Sequence, residues 1–257
     1  STQSRSSAAS DVYKRQTLFF IDPFGYKGVG LDLIGNAIQG WGSECILFFN
    51  YNRINPGLSN PSVAHLMANL FGEKRFEDLR RAVNAVNFPS EREQIVVDKF
   101  KEALHEVGGR HVTEFKFRNR ESDRTSHYIF FVSKSSTGLK IMKEIMYKLS
   151  TDVRGVRRAE YAPPLTPQLS LFSAGLQDTA DPYTLDAIKN LLCNELGRQT
   201  LSVSEICERF TVSHPYIERN IKDALRELEV EGKITVEPST QRRTQRDRIT
   251  LANHLLI

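Results

Sequence analysis

Two short apolar runs, each ending in polar residues, constrain the fold of this chain more than any other feature. The first, TLFFI at Thr17–Ile21, leads into Asp22 and Pro23, and the second, ECILFFN at Glu44–Asn50, leads into YNRIN. Between them, Val29–Gln39 has apolar residues at helical spacing and stops before Gly40. A strand, a helix and a strand within about thirty residues predict a parallel βαβ unit. Both strands are expected to be buried and to end at one crevice.

Two further strands and a helix complete the predicted sheet. HVTEFKFR at His111–Arg118 alternates in polarity, whereas HYIFFVSK at His127–Lys134 is continuously apolar. An alternating strand beside a buried strand predicts an antiparallel pair at the edge of a mostly parallel α/β sheet. In the following SSTGLKIMKEIMYKLS, a single helix face toward the sheet is expected to hold Leu139, Ile141, Met142, Ile145, Met146 and Leu149.

The C-terminal segment, Ala180–Ile257, has the sequence pattern of a second, α+β domain. YTLDAIKNLLCNEL is amphipathic, and SVSEICERF contains the S-x-x-E capping box of Ser202 and Glu205. A third helix is expected after Ser213 as N-cap, with Pro215 in its first turn and Gly232 beyond its end. KITVEP and DRITLA then frame a basic loop. This order predicts a winged helix, joined to the first domain (residues 17–158) by a linker at 159–179.

The first sixteen residues, Ser1–Gln16, are predicted to lie outside the fold. They contain no Met, no apolar period and no signal-peptide core. SSAASDVYKRQ resembles the in-frame translation of a transposon-end adaptor used in preparing sequencing libraries. The adaptor interpretation implies a coding sequence cut on its 5′ side, with Thr17 inside a domain; the alternative is a native disordered basic arm.

Composition excludes several classes of protein. No apolar run approaches the roughly 18 residues of a membrane span, and Cys45, Cys193 and Cys207 have neither zinc-ligand nor disulfide-framework spacing. A reducing, cytoplasmic setting is therefore expected. Thr17–Arg158 carries 21 basic and 16 acidic residues, whereas Ala180–Ile257 carries 11 and 12. The basic surplus of the first domain weakly favours a polyanionic partner.

Asp22, Pro23 and Phe24 are the candidate catalytic residues. They resemble the D/N/S-P-P-aromatic motif of methyltransferases that act on exocyclic amines of bases, with one proline instead of two. In that motif the acidic or amide oxygen and a proline carbonyl accept hydrogen bonds from the amine, while the aromatic ring stacks on the extruded base. The alternative is that Asp22 caps the next helix and Phe24 packs into the core.

The candidate substrate-binding residues are Tyr26, Asn50, Asn52, Arg53 and Lys134. Asn50, Asn52 and Arg53 follow the second strand and are expected to point into the same crevice, unless they form an Asx turn. Lys134 precedes a helix start, where free N–H groups attract anions. The alternative there is an N-cap by Ser135 or Ser136.

The candidate nucleic-acid contacts of the winged helix are seven basic residues. They are Arg219, Lys222 and Arg226 on its third helix and Arg242, Arg243, Arg246 and Arg248 in the wing. Acidic residues are interleaved with the three helical cations. The domain could therefore bind DNA or serve as a protein-docking or dimerising module.

With these parts placed, the chain resembles the bacterial three-Cys-motif partner family. FFIDPFGYKG, ILFFNYNRIN, YIFFVSKSSTGLKIMKEIM and the winged-helix tail carry the likeness, which covers nearly everything from Thr17 onward. The resemblance implies a class I methyltransferase-like, partial Rossmann-like domain before a winged helix, in a mobile-element or defence setting. DNA or RNA and a separately encoded three-Cys-motif protein are the implied partners.

The resemblance also implies S-adenosylmethionine as the cofactor of an intact parent protein. Such folds bind it through a glycine-rich turn after the first strand and an acidic residue after the second. GYKGVG at Gly25–Gly30 follows the Asp-Pro strand and lacks that acidic partner. This chain is therefore expected to be an inactive fragment that does not bind the methyl donor; the competing reading is a non-enzymatic adaptor.

Overall fold

The computed structural model describes residues 16–23, 26–119, 124–153, 156–157, 160–161, 183–197, 199–237 and 248–251. Phe24, the wing loop and nearly all of the proposed adaptor lie outside these ranges, as does the predicted linker apart from Glu160 and Tyr161, which form β7. The N-terminal domain has strands β1 Thr17–Ile21, β2 Ser43–Phe49, β3 His111–Arg118, β4 Thr125–Ser133, β5 Asp152–Val153, β6 Val156–Arg157 and β7 Glu160–Tyr161. Its helices are α1 Leu31–Gln39, α2 Tyr51–Gly57, α3 Ala64–Phe71, α4 Glu73–Asn84, α5 Pro89–Glu106 and α6 Ser136–Leu149.

The main sheet has five strands in the order β1-β2-β4-β3-β7. β1 and β2 are parallel, which confirms the predicted βαβ unit. The prediction of a mostly parallel sheet is wrong, because β4 is the central strand and pairs antiparallel with both β2 and β3. Phe130 and Phe131 point to opposite faces and both are buried, so β4 is covered on both faces, as its continuous apolar sequence predicts. The direction of its pairing is set by distant residues and is not contained in that local pattern.

β1 is the outer strand of this sheet, which corrects the expectation that it is buried. Leu18 is 57% exposed and Phe20 is 65% exposed, and only β2 pairs with β1 among the described residues. An apolar run predicts a strand, but its place in the sheet depends on long-range pairing. The catalytic interpretation of Asp22 therefore loses the buried strand on which it was based.

The two faces of the sheet are covered unequally. On one face, helices α1 to α5 enclose a large core that includes Phe49, Phe71, Phe100 and Phe130. On the other face, α6 packs across β3 and β4 over a small cluster of Phe115, Phe131 and Met146. The N-terminal domain is thus an α/β domain with one thick and one thin helical layer.

Half of the apolar positions predicted to face the sheet from α6 do not do so. Leu139 and Met146 are buried and Met142 is half-buried, but Ile141, Ile145 and Leu149 are exposed. The buried face of α6 instead includes Lys143, a polar residue that apolar periodicity cannot select. Helix α4 was not predicted at all, because EKRFEDLRRAVN buries only Phe76, Leu79 and Val83 among many charges.

The C-terminal domain has the predicted order of elements. Its helices are α7 Leu185–Leu196, α8 Val203–Ser213 and α9 Glu218–Val230, and its strands are β8 Leu201–Ser202, β9 Ile234–Glu237 and β10 Arg248–Leu251. The three strands form an antiparallel sheet in the order β8-β10-β9. Leu192, Phe210, Ile221 and Leu228 form the centre of a separate core.

Helix caps in this domain confirm one prediction and correct another. Ser202 and Glu205 make both hydrogen bonds of the capping box at the start of α8. Ser213 is not the N-cap of the third helix, because α8 extends through it. Helix α9 begins at Glu218, where the Asn220 side-chain oxygen accepts a hydrogen bond from the Ile217 N–H at 3.1 Å.

Candidate functional site

The loops that follow β1 and β2 lie at one edge of the sheet. Ile21 lies opposite Leu47 in parallel register, so Asp22 and Asn50 leave their strands on the same side. Asp22 is exposed and Pro23 is half-buried. This edge is the place at which the sequence predicted a base to bind.

Local structure already uses part of this edge. The Asn50 side-chain oxygen accepts a hydrogen bond from the Arg53 N–H at 3.3 Å and caps α2, so it has a local role, although as a helix cap rather than in the Asx turn given as the alternative. Asn52 and Arg53 lie exposed in the first turn of α2, and the half-buried Tyr26 packs against the large core. The Asn50 oxygen is thus used to cap a helix.

Lys134 lies at the opposite edge of the sheet. Since β4 runs antiparallel to β2, with Val132 opposite Cys45, its last residues lie where β2 begins. A strand of this length separates the two edges by about 20 Å. The Lys134 ammonium donates hydrogen bonds to the carbonyls of Gln39 and Gly40 at 2.8 and 3.2 Å, so it caps the C-terminus of α1. The structure therefore does not bring Lys134 together with Asp22 and Asn50.

The helix start beside Lys134 holds a carboxylate of the chain itself. Ser135 is the N-cap of α6 and accepts a hydrogen bond from the Gly138 N–H at 3.3 Å, as the second alternative predicted. The Glu44 carboxylate accepts from the Ser133 hydroxyl at 2.6 Å and lies so close that a Cβ on Gly138 would overlap it. An anion thus lies at this helix start, and Glu44 provides it.

Sequence patterns missed a polar network at the edge that carries Asp22. The Glu93 carboxylate of α5 accepts hydrogen bonds from the Thr125 hydroxyl at 2.7 Å, the Tyr128 hydroxyl and the Lys116 ammonium at 2.9 Å. These residues come from three separate elements, so no local motif could indicate the network. Burial alone would raise the pKa of Glu93, but the hydrogen bonds from Thr125, Tyr128 and Lys116 lower it.

The Glu93 carboxylate also affects the nearby phenols. Burial and the adjacent Glu93 charge raise the pKa of Tyr51 to about 12 and raise that of Tyr128 as well. Both phenols stay protonated at neutral pH, so they can donate hydrogen bonds but cannot act as bases. The network therefore joins α5 to strands β3 and β4 through hydrogen bonds to one carboxylate.

Two other classes of site receive no support. Burial raises the pKa of Cys45 and of Cys207 to about 11, which leaves these thiols protonated and poor nucleophiles. Within the ranges given above, no three His, Cys, Asp or Glu side chains are grouped as metal ligands. Over the same residues, no helix combines the length and apolar character needed to cross a bilayer.

A groove of about 650 Å³ lies between α1 and the end of α5. Its lining includes Asp32, Asn36 and Gln39 from α1, Val107 and Gly108 after α5, and Lys134. Asp22 and Asn50 do not line it. The ammonium of Lys134 caps α1 beside this groove.

In the C-terminal domain, each predicted basic contact on α9 is paired with a carboxylate of the same helix. Arg219 and Arg226 lie 3.7 and 3.0 Å from Asp223, and Lys222 lies 3.0 Å from Glu218. Exposed pairs of this kind contribute little stability but reduce the positive potential of the helix surface. Helix α9 therefore presents mixed charge rather than a basic face.

The wing is formed by β9 and β10, which pair with Arg248 opposite Glu237. Arg242, Arg243 and Arg246 belong to the loop between these strands and lie outside the described residues, as does the side chain of Arg248.

The sequence model of the GMT-like wHTH domain matches residues 160–241. This part of the chain is a winged-helix domain. The winged-helix match begins about twenty residues before the boundary predicted at Ala180 and covers about a third of the chain. No curated protein and no solved structure matched the chain.

The winged-helix domain is attached to α6 by side chains of both domains. The Lys143 ammonium, buried under the joint, donates hydrogen bonds to the carbonyls of Thr211 and His214 at the end of α8, the latter at 2.6 Å. Lys140 pairs with Glu208, and the Asn220 amide lies 3.5 Å from the Tyr147 hydroxyl. A positive charge at a helix C-terminus is favourable, so Lys143 is well placed to hold the two domains together.

We expect the stability that Lys143 confers to depend on pH. Burial lowers its pKa from 10.5 to about 8, partly opposed by Glu114. Between these values the folded protein binds fewer protons than the unfolded chain, so the unfolding free energy rises with pH. The difference in unfolding free energy between wild type and Lys143→Met should rise by roughly 2 kcal/mol from pH 8 to pH 10 in urea titrations. If the difference in unfolding free energy between wild type and Lys143→Met stays constant or falls over that range, the lowered pKa of Lys143 is contradicted.

Proposed function

We propose that this chain is a DNA-binding adaptor that uses the wing, rather than helix α9, as its main contact. The observation that carries the proposal is the distribution of charge in the winged-helix domain. The cations of α9 are already paired within the helix. Residues 238–248, in contrast, contain four arginines and one acidic residue, Asp247.

Phosphate recognition supports the choice of the wing. Arginine presents a planar fork of donors that matches phosphate oxygens, and clustered cations release counterions when they meet DNA. A cation that already neutralises a neighbouring carboxylate gains less from meeting a phosphate. The wing therefore offers stronger phosphate contacts than α9, and its contacts would not depend on base sequence.

The adaptor proposal is preferred to methyl transfer at Asp22 for two reasons. β1 is an outer strand, so Asp22 lies at an open edge rather than in a closed base pocket. The residue after β2 is Asn50, whose oxygen caps α2. Asp22 and Asn50 do share one edge, which is the observation in favour of base recognition there. Incubation with labelled methyl donor and DNA, with Asp22→Ala as comparison, tests that possibility.

The adaptor proposal is tested by fluorescence anisotropy with a labelled 30-base-pair duplex at several salt concentrations. Replacing Arg242, Arg243 and Arg246 together with alanine should weaken binding by roughly 30- to 100-fold near 0.1 M salt. The slope of log K against log salt should fall in magnitude by about 2 to 3, because each lost phosphate contact removes nearly one unit.

A matched control separates specific contact from loss of net charge. The triple replacement Lys74→Ala, Arg80→Ala and Arg81→Ala removes the same charge from exposed positions of α4 and should change affinity less than about threefold. Equal losses in the wing variant and in the α4 variant would contradict contact by the wing. If the wild-type chain fails to bind the duplex at low salt, the protein-docking interpretation of the winged helix replaces this one.

A further inference from the structure

One half of the thin face of the main sheet is mostly apolar, and its β1 side chains are exposed in the described part of the chain. Its polar member is Glu44, which lies opposite Leu18 and accepts a hydrogen bond from Ser133 beside the start of α6. The register of β1 on β2 places Leu18 and Phe20 on the same face as Ile46, next to Phe48. These four side chains form a floor over β1 and β2, which we call the β1–β2 floor. Leu18 and Phe20 are exposed, Ile46 and Phe48 are half-buried, and α6 packs on β3 and β4 instead.

The exposed side chains of α6 form a wall beside the β1–β2 floor. Ile141, Ile145 and Leu149 recur every four residues and are 56%, 44% and 64% exposed. Lys140, Lys143 and Tyr147, on another side of α6, contact the winged helix. That contact lies over β3, because Thr113 lines the small cavity between the domains. The three apolar residues, the α6 stripe, are therefore on the flank of α6 that points toward β2 and β1.

We propose that the β1–β2 floor and the α6 stripe together form the interface of a twofold-symmetric dimer of this chain. A helix about 10 Å wide covers two strands spaced near 4.8 Å, so the floor has room for one more helix. Helix α6 of a second copy fits this place. A twofold axis that puts α6 of each copy over the β1–β2 floor of the other covers both sheets at once.

The stripe is self-complementary, as such an interface requires. Ile145 is its central residue, so an antiparallel crossing of the two α6 helices at Ile145 sets Ile141 of one copy against Leu149 of the other. A twofold interface needs this kind of match, in which one patch meets its own copy. The α6 stripe forms a ridge and the β1–β2 floor forms a groove beside it, so the two together can pair with the same two features of a second copy.

The exposed area agrees with a dimer. A large apolar or aromatic side chain presents about 200 Å², so residues half-exposed leave about 100 Å² each in water. The five exposed residues of the floor and stripe, with the half-buried Ile46 and Phe48, therefore offer on the order of 600 Å². A standard interface buries about 800 Å² per partner, and apolar patches of this size mark interaction sites.

Sedimentation velocity of the full chain across a concentration range tests the proposal. We expect a concentration-dependent dimer for the wild type. Ile145→Asp should raise the dissociation constant by roughly 100-fold or more, because it buries a charge in an apolar contact. Val230→Asp is the matched control, since Val230 is 83% exposed at the end of α9 in the winged-helix domain, and it should leave the dimer intact. Far-UV circular dichroism of each variant checks that it is folded.

A crosslinking variant gives an independent readout. Ile145→Cys should form a disulfide-linked dimer under mild oxidation, because the residue at the crossing point meets its own copy, whereas Val230→Cys should not. A wild type that is monomeric at every concentration would overturn the proposal. So would a dimer that is unaffected by Ile145→Asp and not crosslinked through Ile145→Cys.

Discussion

Replacement of Glu93 by alanine should lower the free energy of unfolding by about 2–4 kcal/mol, because it leaves two buried hydroxyls and a half-buried ammonium without their acceptor. Glu93 accepts from Thr125, Tyr128 and Lys116, and Tyr128 is almost fully buried. Lys116 would retain its ammonium in a site that no longer neutralises it. Urea denaturation of wild type and variant at pH 7 gives the measurement.

The pH dependence of a second variant identifies the carboxylate as the source. The pKa of Glu93 is lowered by its donors, so its stabilisation is present above the unfolded value of 4.5 and is lost as pH falls through the folded value. The stability advantage of wild type over Glu93→Gln should therefore shrink as pH falls below the unfolded value of 4.5. Asp98→Ala, at an exposed position of the same helix, should change stability by less than about 0.5 kcal/mol. An equal effect of both alanine variants would rule out a special role for Glu93.

Replacement of Phe100 by alanine should cost about 3–5 kcal/mol of unfolding free energy. Its fully buried ring lies at the centre of the large core, with ring centroids 4.5, 5.0 and 5.6 Å from Phe49, Phe130 and Phe71. These contacts join α5 and α3 to β2 and β4. Removing the ring loses transfer energy and leaves a cavity that three rigid neighbours cannot fill.

The control for Phe100 is a phenylalanine that the fold does not bury. Phe88, just before α5, is 66% exposed, so Phe88→Ala should change stability by less than about 0.5 kcal/mol. Chemical denaturation with tryptophan fluorescence and circular dichroism as separate probes also tests whether the two domains unfold together. A loss below about 1 kcal/mol for Phe100→Ala would contradict the assignment of this cluster as the main core.

Sequence patterns predicted the winged helix well because its signals are local. The capping box at Ser202 and Glu205 and the alternating strands that frame the wing are set by neighbours within a few residues. The N-cap of the third helix was predicted at Ser213, because serine is a common capping residue. In the structure Ser213 is the last residue of α8, and the Asn220 side chain accepts the hydrogen bond at the start of α9.

Predictions about the sheet failed where they depended on pairing between distant residues. Continuous apolar sequence occurs in both β1 and β4, yet β4 is central and β1 is an outer strand. Lys134 and Asn50 were both candidate substrate contacts, but because β4 runs antiparallel to β2 they lie at opposite edges of the sheet. Apolar spacing on α6 likewise could not separate Met146, which faces the sheet, from Ile145, which faces solvent.

The joint at Lys143 has a geometric consequence for any DNA that the wing binds. Since α6 carries the winged helix on one flank and the apolar stripe on the other, its position in a dimer fixes where both wings stand. A twofold pair would present them in inverted orientation, at a separation set by packed helices instead of by a flexible tether. Because each wing would contact only the phosphate backbone, the dimer would then bind best to a duplex long enough to reach both wings, whatever its base sequence.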